Sequence, residues 1–170
     1  MKKSIFFLTY SGLFILFTIF GSCHKNNGSS SYISFLENGS LKTFSTSAGC
    51  ILNADSSLHN YTADFIAYNA DITSEFVINL ISSSPLTTSS PYLDTVNLSG
   101  PPVTINLYPS GLLGNPIEWS SFFLFPNQVT LQLKAITSTF VEGTFSGDIA
   151  ISSSGPVYKI TNGYFHLPVK

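Results

Sequence analysis

Along residues 129–135, apolar and polar side chains alternate without a break, with Val129, Leu131, Leu133 and Ala135 set against Thr130, Gln132 and Lys134. A period of two puts each set on its own side of a pleated strand, so this segment is predicted to be a half-buried strand. The pattern returns in Phe76, Ile78 and Leu80, in Val103, Ile105 and Leu107, and in Val141, Phe145, Ile149 and Ile151 against Glu142, Thr144, Ser146 and Asp148. Shorter strands are expected at 32–36, 41–46, 50–53, 61–68 and 119–125. The breaks at 38–39, 69–71, 99–102, 109–116 and 152–156 are rich in turn formers. Such signals, spaced about 8–12 residues apart, are the rhythm of a sandwich or barrel. From Ser31 onward no window holds helical spacing for ten residues or more. The pattern predicts one all-β domain over 31–170, an antiparallel β-sandwich of about nine or ten strands with no substantial helix. No linker or long repeat divides it.

The C-terminal stretch adds a detail of register. Tyr158 and Ile160 are even-numbered, whereas Phe165, Leu167 and Val169 are odd-numbered, so the apolar parity flips at Asn162-Gly163. A two-residue hairpin turn or a one-residue bulge would each do this. Pairing 140–151 with 156–169 sets Ile149 opposite Tyr158. A bulge then brings Gly143 opposite Phe165 and Val141 opposite Leu167, keeping both faces in phase, and is the expected solution.

Ahead of the domain, Lys2 and Lys3 precede an apolar run from Ile5 to Phe20 and then Gly21-Ser22-Cys23. A basic start, a short apolar run and small residues make a secretory signal, expected over 1–22. The run is short of the roughly 20 apolar residues of a membrane span. Its ending resembles the lipobox of bacterial lipoproteins, with Phe20 where Leu is usual. The resemblance implies lipidation of Cys23 and anchoring in a membrane. Residues 24–30 are polar and are expected to act as a tether.

Lys2 and Lys3 leave with the signal, so five basic residues remain against nine acidic ones, a net charge of −4. The chain has no arginine, which removes bidentate phosphate clamps and argues against nucleic-acid binding. With Cys23 committed to lipid, Cys50 has no intrachain partner and is expected to be a small buried hydrophobe.

Candidate chemistry is sparse. There is no Gly-x-Ser-x-Gly, and Asp55-Ser56-Ser57-Leu58-His59 offers one carboxylate and one imidazole, short of the three or four ligands of a zinc site. His166 is expected to point outward from the last strand. Asp71 and Glu75, four residues apart on an extended chain, lie about 13 Å apart, too far for paired glycosidase carboxylates. No catalytic residue, metal site or cofactor is therefore expected. Tyr108, Trp119, Phe122, Phe123 and Phe125 form the densest aromatic region. Strand alternation would place Trp119, Phe123 and Phe125 on one face and Phe122 and Leu124 on the other. Such a strand is either interior or an aromatic platform for a sugar or a partner protein.

Glu142-Gly143-Thr144-Phe145-Ser146-Gly147 and Ile160-Thr161-Asn162-Gly163-Tyr164-Phe165 resemble the ending of a broad group of uncharacterised lipoproteins of Bacteroidota. The first hairpin, around Asn38-Gly39, is also similar. The resemblance implies a lipobox cysteine, a polar tether and a β-sandwich, and no activity. Asp94-Thr95-Val96 resembles the O-glycosylation pattern of such envelope proteins, which would make Thr95 an acceptor. The residues after Cys23 lack an acidic export-like cluster, which favours the periplasmic side of the outer membrane. The expected role is a lipid-anchored, non-catalytic binding or structural component. A glycan-binding module around Trp119 is the alternative and an envelope hydrolase the third reading.

Overall fold

The computed structural model describes residues 30–93, 102–109, 118–124 and 129–170. Cys23, Thr95 and Phe125 lie outside these residues. Eleven antiparallel strands are present among them: β1 (Tyr32–Glu37), β2 (Ser40–Phe44), β3 (Thr46–Asp55), β4 (Asn60–Tyr68), β5 (Glu75–Ser82), β6 (Tyr92–Leu93), β7 (Val103–Tyr108), β8 (Trp119–Ser120), β9 (Thr130–Ile136), β10 (Phe140–Ala150) and β11 (Val157–Pro168). The all-β class expected from the period of two is the one observed. The only helical element among the described residues is a 3-10 turn at Ser121–Leu124.

The strands form one sheet in the order β2-β1-β11-β10-β8-β7-β5-β4-β3, with β9 added on β10 and β6 on β9. This sheet curls into a nearly closed barrel instead of splitting into two packed layers. The seam is narrow: Cys50 of β3 makes a parallel bridge with Val169, and the Lys170 amide donates to the Cys50 carbonyl at 2.9 Å. Bulges supply the curvature, because an extra residue bends its strand and tightens the local twist. In β11 the partners step from Gly163 to Ile160 while β10 steps only from Phe145 to Gly147. The same extra residue shifts the pairing with β1 between Ser34 and Leu36. Val141 pairs with Leu167, Gly143 with Phe165 and Ile149 with Tyr158, so the bulge predicted from the parity flip is the one found. Asn162 sits in it at φ 53°, and Ser47 occupies the bulge of β3 at φ 48°.

The first hairpin turns through Asn38 (φ 47°) and Gly39 (φ 85°), the two positive φ values of a type I′ turn. Inside the barrel, Phe35, Phe44, Phe76, Phe145, Phe65 and Phe165 form a chain of ring contacts, with Phe35 and Phe76 4.4 Å apart. Each of the interior positions expected in β5, β7 and β9 is buried except the end residues Leu107 and Ala135. Ile151 departs from its predicted set: β10 ends at Ala150, and Ile151 lies 40% exposed.

A glycine–phenylalanine exchange locks β10 to β11. Gly143 faces Phe165 and Gly163 faces Phe145, so each ring covers the bare backbone opposite it. A Cβ on Gly143 would lie 2.5 Å from the Gln132 carbonyl oxygen and 2.5 Å from Phe165 Cζ; one on Gly163 would lie 2.5 Å from the Phe145 carbonyl oxygen. The Gly-Thr-Phe and Gly-Tyr-Phe segments are thus two halves of one packing device.

Candidate functional site

The expected strand 119–125 is not what forms. β8 ends after Ser120 and the chain enters the 3-10 turn. Two serines explain this. Ser120 Oγ donates to Asn106 Oδ1 at 2.6 Å and accepts from the Phe122 amide at 3.2 Å. Ser121, fully buried, accepts from the Ile105 amide at 3.0 Å, taking the place of a ladder carbonyl. Side-chain hydroxyls that bond to nearby backbone compete with strand pairing and favour a turn.

The turn separates the aromatic residues. Trp119 pairs with Leu107 and faces the barrel mouth, where its ring meets Tyr158 edge-on at 4.2 Å. Tyr108 pairs with Glu75 and donates to Glu118 at 3.2 Å. Burial first, then the Glu118 charge, push its phenol up to about 12, so it stays a donor at physiological pH. Phe122 is 60% exposed and touches Phe123 edge-on at 6.4 Å. Trp119 therefore belongs to one site, and Tyr108, Phe122 and Phe123 do not line it.

That site is a cleft of about 350 Å³ at the barrel mouth, within the roughly 300–1,000 Å³ of small-molecule sites. Trp119 and Tyr158 wall it, Phe35, Phe44 and Leu107 lie beneath, and Glu37 and Lys42 meet across it at 3.2 Å. The ion pair follows from the tight first hairpin, which holds Glu37 and Lys42 on adjacent strands. Asn69 and Ser74 form the opposite rim. Asn69 Oδ1 accepts from the Thr73 and Ser74 amides, both at 2.9 Å, and its Nδ2 donates to Thr73 Oγ1 at 2.9 Å. Ser74 Oγ donates to the Pro109 carbonyl at 3.1 Å. The cleft thus joins an apolar, aromatic interior to a neutral pair of opposite charges and a few amides and hydroxyls.

Compared with known proteins, the chain matches no protein-family model, no curated protein and no solved structure. The cleft stands on its geometry. Tyr158, Glu37 and Lys42 carry no signal in the sequence, since they reach Trp119 only through the order β2-β1-β11-β10-β8.

The remaining chemical groups are isolated from it. His59 lies exposed in its turn, whose Asp55 Oδ1 accepts from the Ser57 hydroxyl at 2.6 Å and from the Ser57 and Leu58 amides; these bonds hold the Asp55 carboxyl below its ordinary range. Cys50 is buried, and burial, then the Asp64 charge, push its thiol up to about 12, an inert state. His166 points outward as expected, 3.9 Å from Glu142.

One residue of the loop between β4 and β5 is strained. Ile72 sits at φ 55° and is 59% exposed, in the loop that Asn69 braces. For a β-branched residue this region is an outlier, costing about 1–2 kcal/mol. Ile72→Asn, which tolerates the left-handed region, is expected to raise stability by about 1 kcal/mol, read as a higher midpoint in urea. An unchanged or lower midpoint would mean the loop carries no strain.

Proposed function

We propose that the protein is a lipid-anchored, non-catalytic binding component of the bacterial outer membrane, facing the periplasm, whose cleft at Trp119 receives a glycan. The observation that carries this reading is the cleft itself. An aromatic wall of Trp119 and Tyr158 offers flat apolar faces to the C–H side of a sugar ring. Glu37, Lys42, Asn69 and Ser74 supply acceptors and donors for its hydroxyls, the balance of apolar lining and few polar groups found in ligand sites. The anchor rests on the resemblance of Gly21-Ser22-Cys23 to a lipobox, and multiple acyl chains give stable membrane attachment.

Two measurements test the two halves. Cys23→Ala is expected to move the protein from the membrane fraction to the soluble one and to remove the acyl mass; a wild type already soluble after signal cleavage would sink the anchor. The chain contains a single Trp, so titration with soluble envelope glycans is expected to shift its emission and to protect it from acrylamide. A Trp119 that responds to no glycan would leave the cleft without this role.

A further inference from the structure

Away from the cleft, the outward face of β1, β11, β10 and β9 carries a second, unassigned array. Tyr32 and His166 are paired, as are Glu142 and His166, and Tyr164 and Thr144. Their rings form a strip: the Phe140 ring stacks on His166 at 4.9 Å, and Tyr32 lies 5.6 Å from Tyr164. All four rings are half-buried, each with part of its surface open to solvent. The charges beside the strip are of both signs, with Lys134 Nζ 5.8 Å from the centre of the Tyr164 ring and Glu142 against His166.

The strip runs into a groove of about 610 Å³ where the β11 bulge breaks the pleat. Thr130, Thr144, Ser146, Thr161, Asn162 and Tyr164 line it, and none of its lining residues is charged. The groove is a product of the fold: Asn162 takes a positive φ, and Gly163 leaves space only for the Phe145 ring. Rings half-buried on an outward face keep part of their surface for a ligand. Beside a row of hydroxyls they match a ligand with alternating C–H faces and hydroxyl edges. The absence of charge in the groove, and the balanced charges beside the strip, select against an anionic chain.

We propose that this face is a second binding surface, for an extended neutral polysaccharide, with the strip Phe140–His166–Tyr32–Tyr164 stacking on sugar rings and the groove bonding to their hydroxyls. It acts independently of the Trp119 cleft. The test is affinity electrophoresis of the full chain, extracted in mild detergent, through gels holding a soluble β-glucan, a galactomannan, a xyloglucan or alginate. At least one of the three neutral polymers is expected to retard the wild type and Leu58→Ala, an exposed position in the turn between β3 and β4, equally, and alginate is not. Tyr164→Ala is expected to weaken the retardation about tenfold, the order of a lost stacking ring with its hydroxyl. Tyr32→Ala, at the start of β1, gives a second reading should Tyr164→Ala fail to fold by circular dichroism. Retardation by no neutral polymer, stronger retardation by alginate, loss in Trp119→Ala, or folded Tyr variants that bind as wild type would each overturn the proposal. Loss in Trp119→Ala alone would assign the binding to the cleft instead.

Discussion

Phe76→Ala is expected to lower the stability of the domain by about 4 kcal/mol, within the range for removing a fully buried ring. Phe76 is 0% exposed on β5, and its ring meets Phe35 at 4.4 Å and Phe44 and Phe145 at 5.6 Å. Those partners come from β1, β2 and β10, on the opposite wall. The ring is therefore the peg that holds the first hairpin against the rest of the barrel, and the void left by Ala would open to three rings that cannot all collapse into it. Urea unfolding gives the measure. A loss below about 1 kcal/mol would mean that the ring cluster repacks freely, contrary to the density of protein interiors.

Gly163→Ala is expected to cost about 3 kcal/mol, at the upper end of ordinary overpacking. The new methyl would meet both the Phe145 carbonyl oxygen, at 2.5 Å, and two carbons of its ring, at 2.7 Å. The ring could swing aside, but the carbonyl belongs to the β10 ladder and could not. Gly163→Ala combined with Phe145→Ala would remove the ring clash and leave the backbone clash. The double variant is therefore expected to recover only part of the loss that simple addition of the two single changes predicts. Full additivity would show that the two residues do not act as a unit.

Much of the fold was legible in particular residues. Unbroken alternation located β5, β7 and β9, and the change of parity between Ile160 and Phe165 located the bulge together with its pairing. Parity works here because a residue's face is fixed by counting, whatever lies across the strand. It failed at 119–125, where alternating aromatic residues suggested a strand. The deciding bonds, from the Ile105 amide to Ser121 and from Ser120 to Asn106, join residues 16 and 14 positions apart and have no periodic trace. The candidate site was half visible for the same reason. Trp119 was conspicuous by its type, but Tyr158, Glu37 and Lys42 are ordinary strand residues until the sheet order sets them beside it. Closure of the sheet was also hidden, since it depends on the Cys50–Val169 bridge and on bonds from Lys170 to Cys50 and Ser47, contacts between distant segments.

The sheet order has a kinetic corollary. β1 pairs with β11, so Tyr32 must find His166 and Ile33 must find Phe165, partners near opposite ends of the described chain. Loop closure on that scale makes folding slow, in the range of milliseconds to seconds for sheet proteins dominated by distant pairings. The hairpin of β1 and β2 can form at once and its inner rings can meet Phe76 of β5, but the second edge of β1 has no partner until the last strand has been synthesised. A chain with this wiring cannot complete its sheet until its final strand is in place.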